Sequence, residues 1–206
     1  MVLSRRMFTK HAGTGLLVLA SGVSLTLEGC NLAQNIENWA PVGQSAFDGI
    51  ISLLQGVGLV SPAISLLIPV IDTAFTDLIA DAKAYGSVNP PPAGTLAKLE
   101  EVFNLIVGNL QSLFAQLQVT NPIINVVLSL GKIIFETIAG FIKQLPAAVQ
   151  SRMQAKLNGQ FKVGVLTVPF TPVHRTVRQF KKAFNSAAKA AGHPEIELKL
   201  GLFEHF

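Results

Sequence analysis

The chain has 206 residues and a formal net charge of +4, but only 14% of its residues are charged and 50% are hydrophobic. So few charges leave much apolar surface, which must be buried between elements or must meet lipid or a partner. The single cysteine, Cys30, excludes an intramolecular disulfide.

The first thirty residues have the pattern of a signal peptide. Arg5, Arg6 and Lys10 form a positive start, and the run from Ala12 to Leu27 carries no charge. The segment Ser4-Arg5-Arg6-Met7-Phe8-Thr9-Lys10 resembles the twin-arginine export signal of bacteria. Its motif residues are Arg5, Arg6, Phe8 and Lys10, and Thr9 replaces the usual Leu. The resemblance implies export to the periplasm or the cell exterior.

The segment Leu27-Glu28-Gly29-Cys30 resembles a lipoprotein cleavage box, with Glu28 where a small residue is usual. The resemblance implies that residues 1–29 are removed and that Cys30 is lipidated, with palmitate among its acyl chains, so that the protein is anchored to a bacterial membrane. A plain signal peptide with a chance cysteine is one alternative. An uncleaved transmembrane anchor is another, disfavoured because the apolar run is shorter than the roughly 20 residues of a span.

The mature chain is expected to be mainly α. Residues 30–43 are polar and predict a short tether, and residues 44–158 predict an apolar bundle of four to five helices. Pro62, the Pro-rich segment 86–94 and Pro122 separate the helices. A weak repeat at a spacing of sixty residues, with Pro62 matching Pro122, indicates a duplicated helix hairpin.

Residues 159–206 predict a small β-α-β extension packed on the bundle. Apolar residues from Phe161 to Val168 favour one strand, and the alternation from Ile196 to Leu200 favours a second. A basic helix between them, from Thr171 to Gly192, has one apolar side.

Charge is divided unequally along the mature chain. Eight acidic and three basic residues lie between Asn31 and Ile142, against ten basic and two acidic residues between Lys143 and Lys199. The basic helix predicts an exposed positive face made of Arg175, Arg178, Lys181, Lys182 and Lys189. Such a face indicates an anionic partner, either lipid headgroups or an envelope protein. Nucleic acid is not expected as a partner of an exported protein.

Motifs of catalysis are not found in the sequence. There is no Gly-x-Ser-x-Gly, phosphate loop, Gly-rich dinucleotide turn or His-Glu-x-x-His. His174, His193 and His205 lie apart without the spacing of metal ligands. We therefore expect no metal, no cofactor and no enzymatic activity.

Three functions agree with these patterns. The leading prediction is a non-enzymatic, membrane-anchored envelope lipoprotein that acts as a binding or scaffolding module. The first alternative is a carrier or sensor of a lipid or other apolar ligand held between Phe-rich helices. The second is a membrane-inserting protein, because the segments Gly49–Ile71 and Val102–Gly131 carry no charge.

Overall fold

The computed structural model describes residues 9–88, 90–117, 121–157 and 159–199, with side chains from Asn31 onward except at 154–157. The helices are α1 (Thr9–Gly56), α2 (Pro62–Gly86), α3 (Thr95–Ala115), α4 (Ile123–Ile142), α5 (Ala147–Leu157) and α6 (Val177–Ala190). The strands β1 (Gln160–Val163) and β2 (Leu166–Pro169) and a short 3-10 turn, Pro194–Ile196, complete the described part. The prediction of a mainly α bundle with a small C-terminal β addition is confirmed.

Local chemistry explains where the helices begin. Ser61 caps α2 by accepting a hydrogen bond from the Ile64 amide at 3.2 Å, and Pro62 occupies the first turn, where no amide donor is needed. Before α3, Gly94 has φ 86°, a left-handed conformation that favours glycine. Apolar residues recur at 3-4 spacing along α3 and form its buried face, which includes Leu99 and Phe103.

Helix α1 is the centre of the assembly. It packs against α2, α4 and α6, whereas α3 packs against α2, α5 and β1. Helix α4 is apolar on most sides, and it is covered accordingly, since nearly its whole second half is buried. Phe161 of β1 joins the same core by stacking on Phe135 of α4 at 4.5 Å between ring centroids.

Residues 31–43 differ from the prediction of a tether. They are helical, and the side chains of Leu32, Ile36 and Trp39 are buried in the core. These residues recur at four- and three-residue spacing, so they form one apolar helix face among exposed polar neighbours. Pro41 lies inside α1 on its exposed side, and the helix continues through it. The tether prediction is therefore wrong for the residues that follow Cys30.

The order of elements within the C-terminal addition also differs from the prediction. The segment expected to be one strand forms two, and β1 pairs with β2 in antiparallel register, Phe161 opposite Val168. Gly164, with φ 53°, turns the chain between them. Residues 197–199, expected to form a second strand after the basic helix, have no strand partner among the described residues. Asn185 of α6 instead holds the backbone of Leu198, through hydrogen bonds at 2.7 and 2.8 Å.

The close crossing at Gly140 gives a test of the packing between α4 and the C-terminal region. A Cβ on Gly140 would overlap the carbonyl of Val173, so Gly140→Ala should destabilise the fold by about 1–3 kcal/mol. The matched control is Gly108→Ala in α3, where a Cβ meets nothing within 4 Å. It should be stabilising by up to about 1 kcal/mol, because alanine favours helix. Urea unfolding followed by circular dichroism measures both, and equal effects would contradict the crossing.

Candidate membrane-facing site

Helix α6 is a strongly sided helix with its own caps. The Thr176 hydroxyl accepts from the Gln179 amide at 3.3 Å, and the Gln179 side chain accepts from the Thr176 amide at 2.9 Å, a complete capping box. Phe180, Phe184 and Ala188 recur every four residues and are buried against the bundle. The helix therefore exposes one side of defined chemistry.

The exposed side of α6 is basic. Arg178, Lys182 and Lys189 recur at four- and seven-residue spacing and are exposed on one helix face, opposite Phe180 and Phe184. We call these three residues the basic face. No acidic residue occurs between Val177 and Ala190. The helix itself therefore carries charge of one sign only.

Lys181 lies at the edge of the basic face rather than in it. It lines an open cleft of about 550 Å³ between α1 and the segment after α6. The α1 wall contains Ser45 and Gly49, and the opposite wall contains Glu195 and Lys199. A hydrogen bond from His193 at 2.7 Å lowers the pKa of Glu195. The cleft thus has both signs of charge and no clear preference for an anion.

Arg175 is not part of the exposed face, and its placement there was wrong. It precedes α6, and its guanidinium donates to the carboxylate of Glu136 at 2.7 Å and to the Thr137 hydroxyl at 3.3 Å. The Arg175 and Glu136 side chains are only 15% and 10% exposed. Lys132 lies 4.0 Å from the other Glu136 oxygen. Arg175 therefore neutralises a carboxylate on the most apolar helix and joins the C-terminal region to α4.

Trp39 is the point where α6 meets the bundle. Its ring lies 5.9 Å from Phe75 of α2, 5.3 Å from Phe141 of α4 and 5.7 Å from Phe180 of α6, measured between centroids. We call these four residues the aromatic box. The indole is 0% exposed, and its Nε1 has no hydrogen-bond acceptor among the described residues. An unpaired buried donor costs about 1–3 kcal/mol.

Acidic residues of α1 and α2 lie close enough to affect one another. Burial, and then the charge of Asp72, raises the pKa of Asp48. Burial likewise raises the pKa of Asp81 on α2, although the attraction of Lys98 opposes the shift. The charge asymmetry of the sequence is therefore also an asymmetry of surfaces, with acidic residues on α1 and α2 and the basic face on α6.

The targeting residues are only partly within the described structure. Arg5, Arg6 and Phe8 lie outside the described residues. Lys10 and Cys30 fall on α1, and their side chains are not among those described.

The two histidines whose side chains are described have hydrogen-bonding roles. His174 Nδ1 lies 2.7 Å from the Gln144 amide nitrogen, and His193 pairs with Glu195. Over the described ranges, no group of three or more His, Cys, Asp or Glu residues could hold a metal ion. His205 lies outside the described residues.

Within the described part of the chain, two helices, α2 and α4, are long and apolar enough to cross a membrane, each with a mean hydropathy of 1.7 over an 18-residue window. Their environments differ, because 67% of the window is buried in α4 and 28% in α2. The apolarity of α4 is that of a core helix. On α2, Leu66 is 74% exposed.

Comparisons with protein-family models, with curated proteins and with solved structures find no match for this chain.

Sequence reasoning missed the pairing of Arg175 with Glu136 and the central role of Trp39. The sequence did contain a signal for the Arg175–Glu136 pair, since Glu136 is the only acidic residue between Ile123 and Ile142. A carboxylate on a helix that is apolar on most sides needs a nearby cation, and Lys132, the basic residue of the same helix, comes only within 4.0 Å of it. No local signal identified Trp39, because the polar residues around it concealed the apolar spacing.

The buried pair predicts an asymmetric response to mutation. Arg175→Gln leaves the Glu136 carboxylate buried without its nearest cation and should destabilise the fold by about 3–5 kcal/mol. The double change Glu136→Leu with Arg175→Met should restore most of that loss, because no unpaired charge remains. Arg152→Gln is the comparison: it removes an ion pair with Glu100 in which Arg152 is 59% and Glu100 16% exposed. It should cost clearly less, because water can take the place of the exposed guanidinium. Similar losses for Arg175→Gln and Arg152→Gln in chemical unfolding would refute a structural role for the pair.

Proposed function

We propose that this protein is a non-enzymatic, membrane-anchored envelope lipoprotein whose domain acts as a binding or scaffolding module at the membrane surface. In this proposal Cys30 carries the lipid, and the basic face of α6 binds anionic headgroups. The resemblance of residues 4–10 and 27–30 to export and lipidation signals supports the anchor. The exposed, acid-free basic face supports the second contact.

The observation that carries the proposal is the short path between Cys30 and the core. Leu32 and Ile36 are buried, so the bundle begins almost directly after the cysteine. Trp39, which contacts α6, is nine residues beyond Cys30, or about 14 Å along a helix. A lipid on Cys30 would therefore hold the bundle, and the start of α6 with it, close to the membrane surface.

Electrostatics then supplies a second attachment. A basic residue near an anionic membrane surface is worth about 1 kcal/mol. Arg178, Lys182 and Lys189 together would bind weakly in free solution. A neighbouring anchor raises their effective concentration at the membrane, so that weak contacts become persistent.

The two alternative functions, an apolar-ligand carrier and a membrane-inserting protein, have less support. For a carrier, the core Phe rings would have to line a cavity, yet those of Phe114, Phe135 and Phe161 lie 4.5–5.9 Å apart, as packed rings do. For a membrane-inserting hairpin of α2 and α4, α4 would have to leave the core. The exposed apolar side of α2 is the feature that keeps membrane insertion as a second hypothesis.

Lipidation can be tested directly in a bacterium with the export machinery. The chain should incorporate a clickable palmitate analogue, and its purified form should begin at Cys30 by intact mass. Cys30→Ser should abolish labelling, and Arg5→Lys with Arg6→Lys should stop export. Glu28→Ala is the control, since a small residue before Gly29 should leave labelling intact. Equal labelling of the Cys30→Ser chain would refute the anchor.

The basic face can be tested with the processed chain, Cys30 to Phe206, carrying Cys30→Ser. The described core lies between Leu32 and Leu198, so removal of residues 1–29 leaves it complete. Binding to phosphatidylglycerol vesicles should weaken with salt and should fall by about a hundredfold when Arg178, Lys182 and Lys189 become Gln, at about 1 kcal/mol each.

The control for that experiment is the triple change of Lys83, Lys98 and Lys162 to Gln. It removes the same charge from exposed residues elsewhere and should weaken binding much less. Equal losses in the two triple variants would leave only net charge as the cause. Binding that ignores salt and lipid charge would remove the basic face from the proposal.

A further inference from the structure

We infer that the end of the α1–α2 hairpin is a membrane-contacting surface, which enters one leaflet of a lipid bilayer while the bundle stays folded. We call residues 57–70, the turn between the two helices and the first turns of α2, the apolar tip. The inference goes beyond the proposed function, because it needs neither a lipid on Cys30 nor the basic face of α6. It differs from a membrane-spanning hairpin, because no helix has to leave the core.

The apolar tip is open to solvent although it is almost wholly apolar. Residues 57–70 contain no charged and no aromatic residue, and their only polar side chains are those of two serines. Of these fourteen residues only Ile64 is buried. Leu66 is 74% exposed, Val70 44% and Val57 43%. A contiguous apolar patch that faces solvent marks a site of contact with a protein or a membrane.

The rest of this end of the bundle is also poor in charge. Short connections join the helices, and α2 packs against both α1 and α3, so the start of α2 and the end of α3 lie at the same end. No charged residue occurs in 49–71 or in 102–131. The Gly164 amide donates to the Phe114 carbonyl at 3.3 Å, which places the β1–β2 turn and its exposed Val165 beside the end of α3. The apolar tip therefore belongs to an end of the bundle to which both hairpins bring no charge.

The backbone of the apolar tip is suited to a phase without water. At the end of α1, the Leu59 amide donates to the Leu54 carbonyl at 2.9 Å. The Gly58 amide donates to the Gln55 carbonyl at 3.0 Å, and Gly58 has φ 69°. These features form a Schellman motif, which satisfies the last carbonyls of a helix. At the start of α2, Ser61 supplies the cap described above. Open backbone groups oppose entry into lipid, and both helix ends here carry their own caps.

Charged residues limit how deeply the apolar tip can enter. Asp48 and Asp72 are the first charged residues on either side of it in the sequence. On α2, the ten residues from Pro62 to Ile71 rise about 15 Å, and the hydrocarbon core of a bilayer is about 30 Å thick. The tip therefore matches the depth of one leaflet and is too short to span both.

A bilayer fits the apolar tip better than a second protein surface does. Hot spots of protein interfaces are enriched in Trp, Tyr and Arg, and the tip has none of them. A standard interface also engages about 20–30 residues on each side, whereas the tip has fourteen. The hydrocarbon of a bilayer requires only apolar side chains and a capped backbone, and the tip provides both.

A fluorescent label on the apolar tip tests the inference. The processed chain, in which Cys30 is Ser, has no other cysteine, so Leu66→Cys can carry an NBD group at one defined site. Vesicles of equimolar phosphatidylcholine and phosphatidylglycerol with nitroxide-labelled acyl chains should quench this label, because the nitroxide acts over a short distance within the acyl region. The matched control is Val88→Cys, which replaces an exposed apolar residue just beyond the other end of α2. The label at position 88 should keep its fluorescence.

A second measurement needs no label. In the processed chain, Leu66→Gln with Val70→Gln should weaken binding to unlabelled vesicles by about a hundredfold, since each lost apolar side chain removes about tenfold. The loss should persist at high salt, which screens the basic face. The matched control is Val88→Gln with Leu105→Gln, which replaces one exposed valine and one exposed leucine outside the tip and should leave binding unchanged. Thermal unfolding should be the same in both double variants, because all four side chains are exposed.

The outcomes separate this inference from the proposed function. Vesicle binding without quenching at position 66 would overturn the inference and leave the proposed function standing, because the basic face would then hold the chain. Quenching that persists when Arg178, Lys182 and Lys189 are Gln would support the apolar tip independently of that face. Equal losses in the two double variants would contradict the inference. A label at position 66 that responds to protein concentration and not to lipid would overturn it and assign the tip to a second copy of the chain.

Discussion

The architecture depends on the burial of one indole. Trp39 contacts Phe75, Phe141 and Phe180, and these three rings come from α2, α4 and α6. A single side chain of α1 thereby contacts an aromatic ring from each of three other helices. Gly43 accommodates this arrangement, because a Cβ there would lie 2.8 Å from the indole. Large aromatic side chains dominate core energetics, so the apolar contacts of α6 are centred on the box even though α6 is the last helix of the chain.

The charged residues lie mostly outside this core, and the helix sides that face neighbouring helices are apolar. Helix α4 has a single carboxylate, and Arg175 reaches it from outside the helix rather than from its own sequence. Burying a charge is tolerable only with such a partner. Three further bases of the C-terminal region, Arg178, Lys182 and Lys189, lie on the outer side of α6. The result is one basic flank, one acidic flank and an apolar centre, on a chain with few charges to divide.

Sequence periodicity predicted the helices wherever proline and glycine punctuate it. Ser61-Pro62, Gly94 and Pro122 mark real boundaries because each has a local backbone or hydrogen-bonding cause. Prediction failed where tertiary contacts decide. Leu32, Ile36 and Trp39 are spaced as a helix face, but the Asn and Gln residues between them made the segment read as a polar tether. The alternation from Ile196 to Leu200 is typical of a strand, yet a strand needs a neighbouring strand with unpaired backbone groups. The backbone N–H and C=O of Leu198 are instead bonded to the Asn185 side chain. The positive charge of the site was predictable, and so was the shared face of Arg178, Lys182 and Lys189, because their spacing alone places them together. The position of Arg175 was not predictable, because its pairing with Glu136 depends on a contact 39 residues away in sequence.

The same sidedness that docks a helix on a protein core also docks it on a membrane, so amphipathicity alone does not distinguish the two. In this fold the contacts decide. Phe180 and Phe184 are buried against the bundle, so the basic side of α6 is the side that a membrane could meet. Cys30 lies about 14 Å along α1 from the indole that α6 covers, so under the proposed function a lipid at Cys30 would bring the bundle close to the bilayer. A flexible tether at residues 31–43 would instead let the domain stand off the membrane. The helical, buried start of the domain is thus the feature that would let a lipidated cysteine and a basic amphipathic helix act on the same surface.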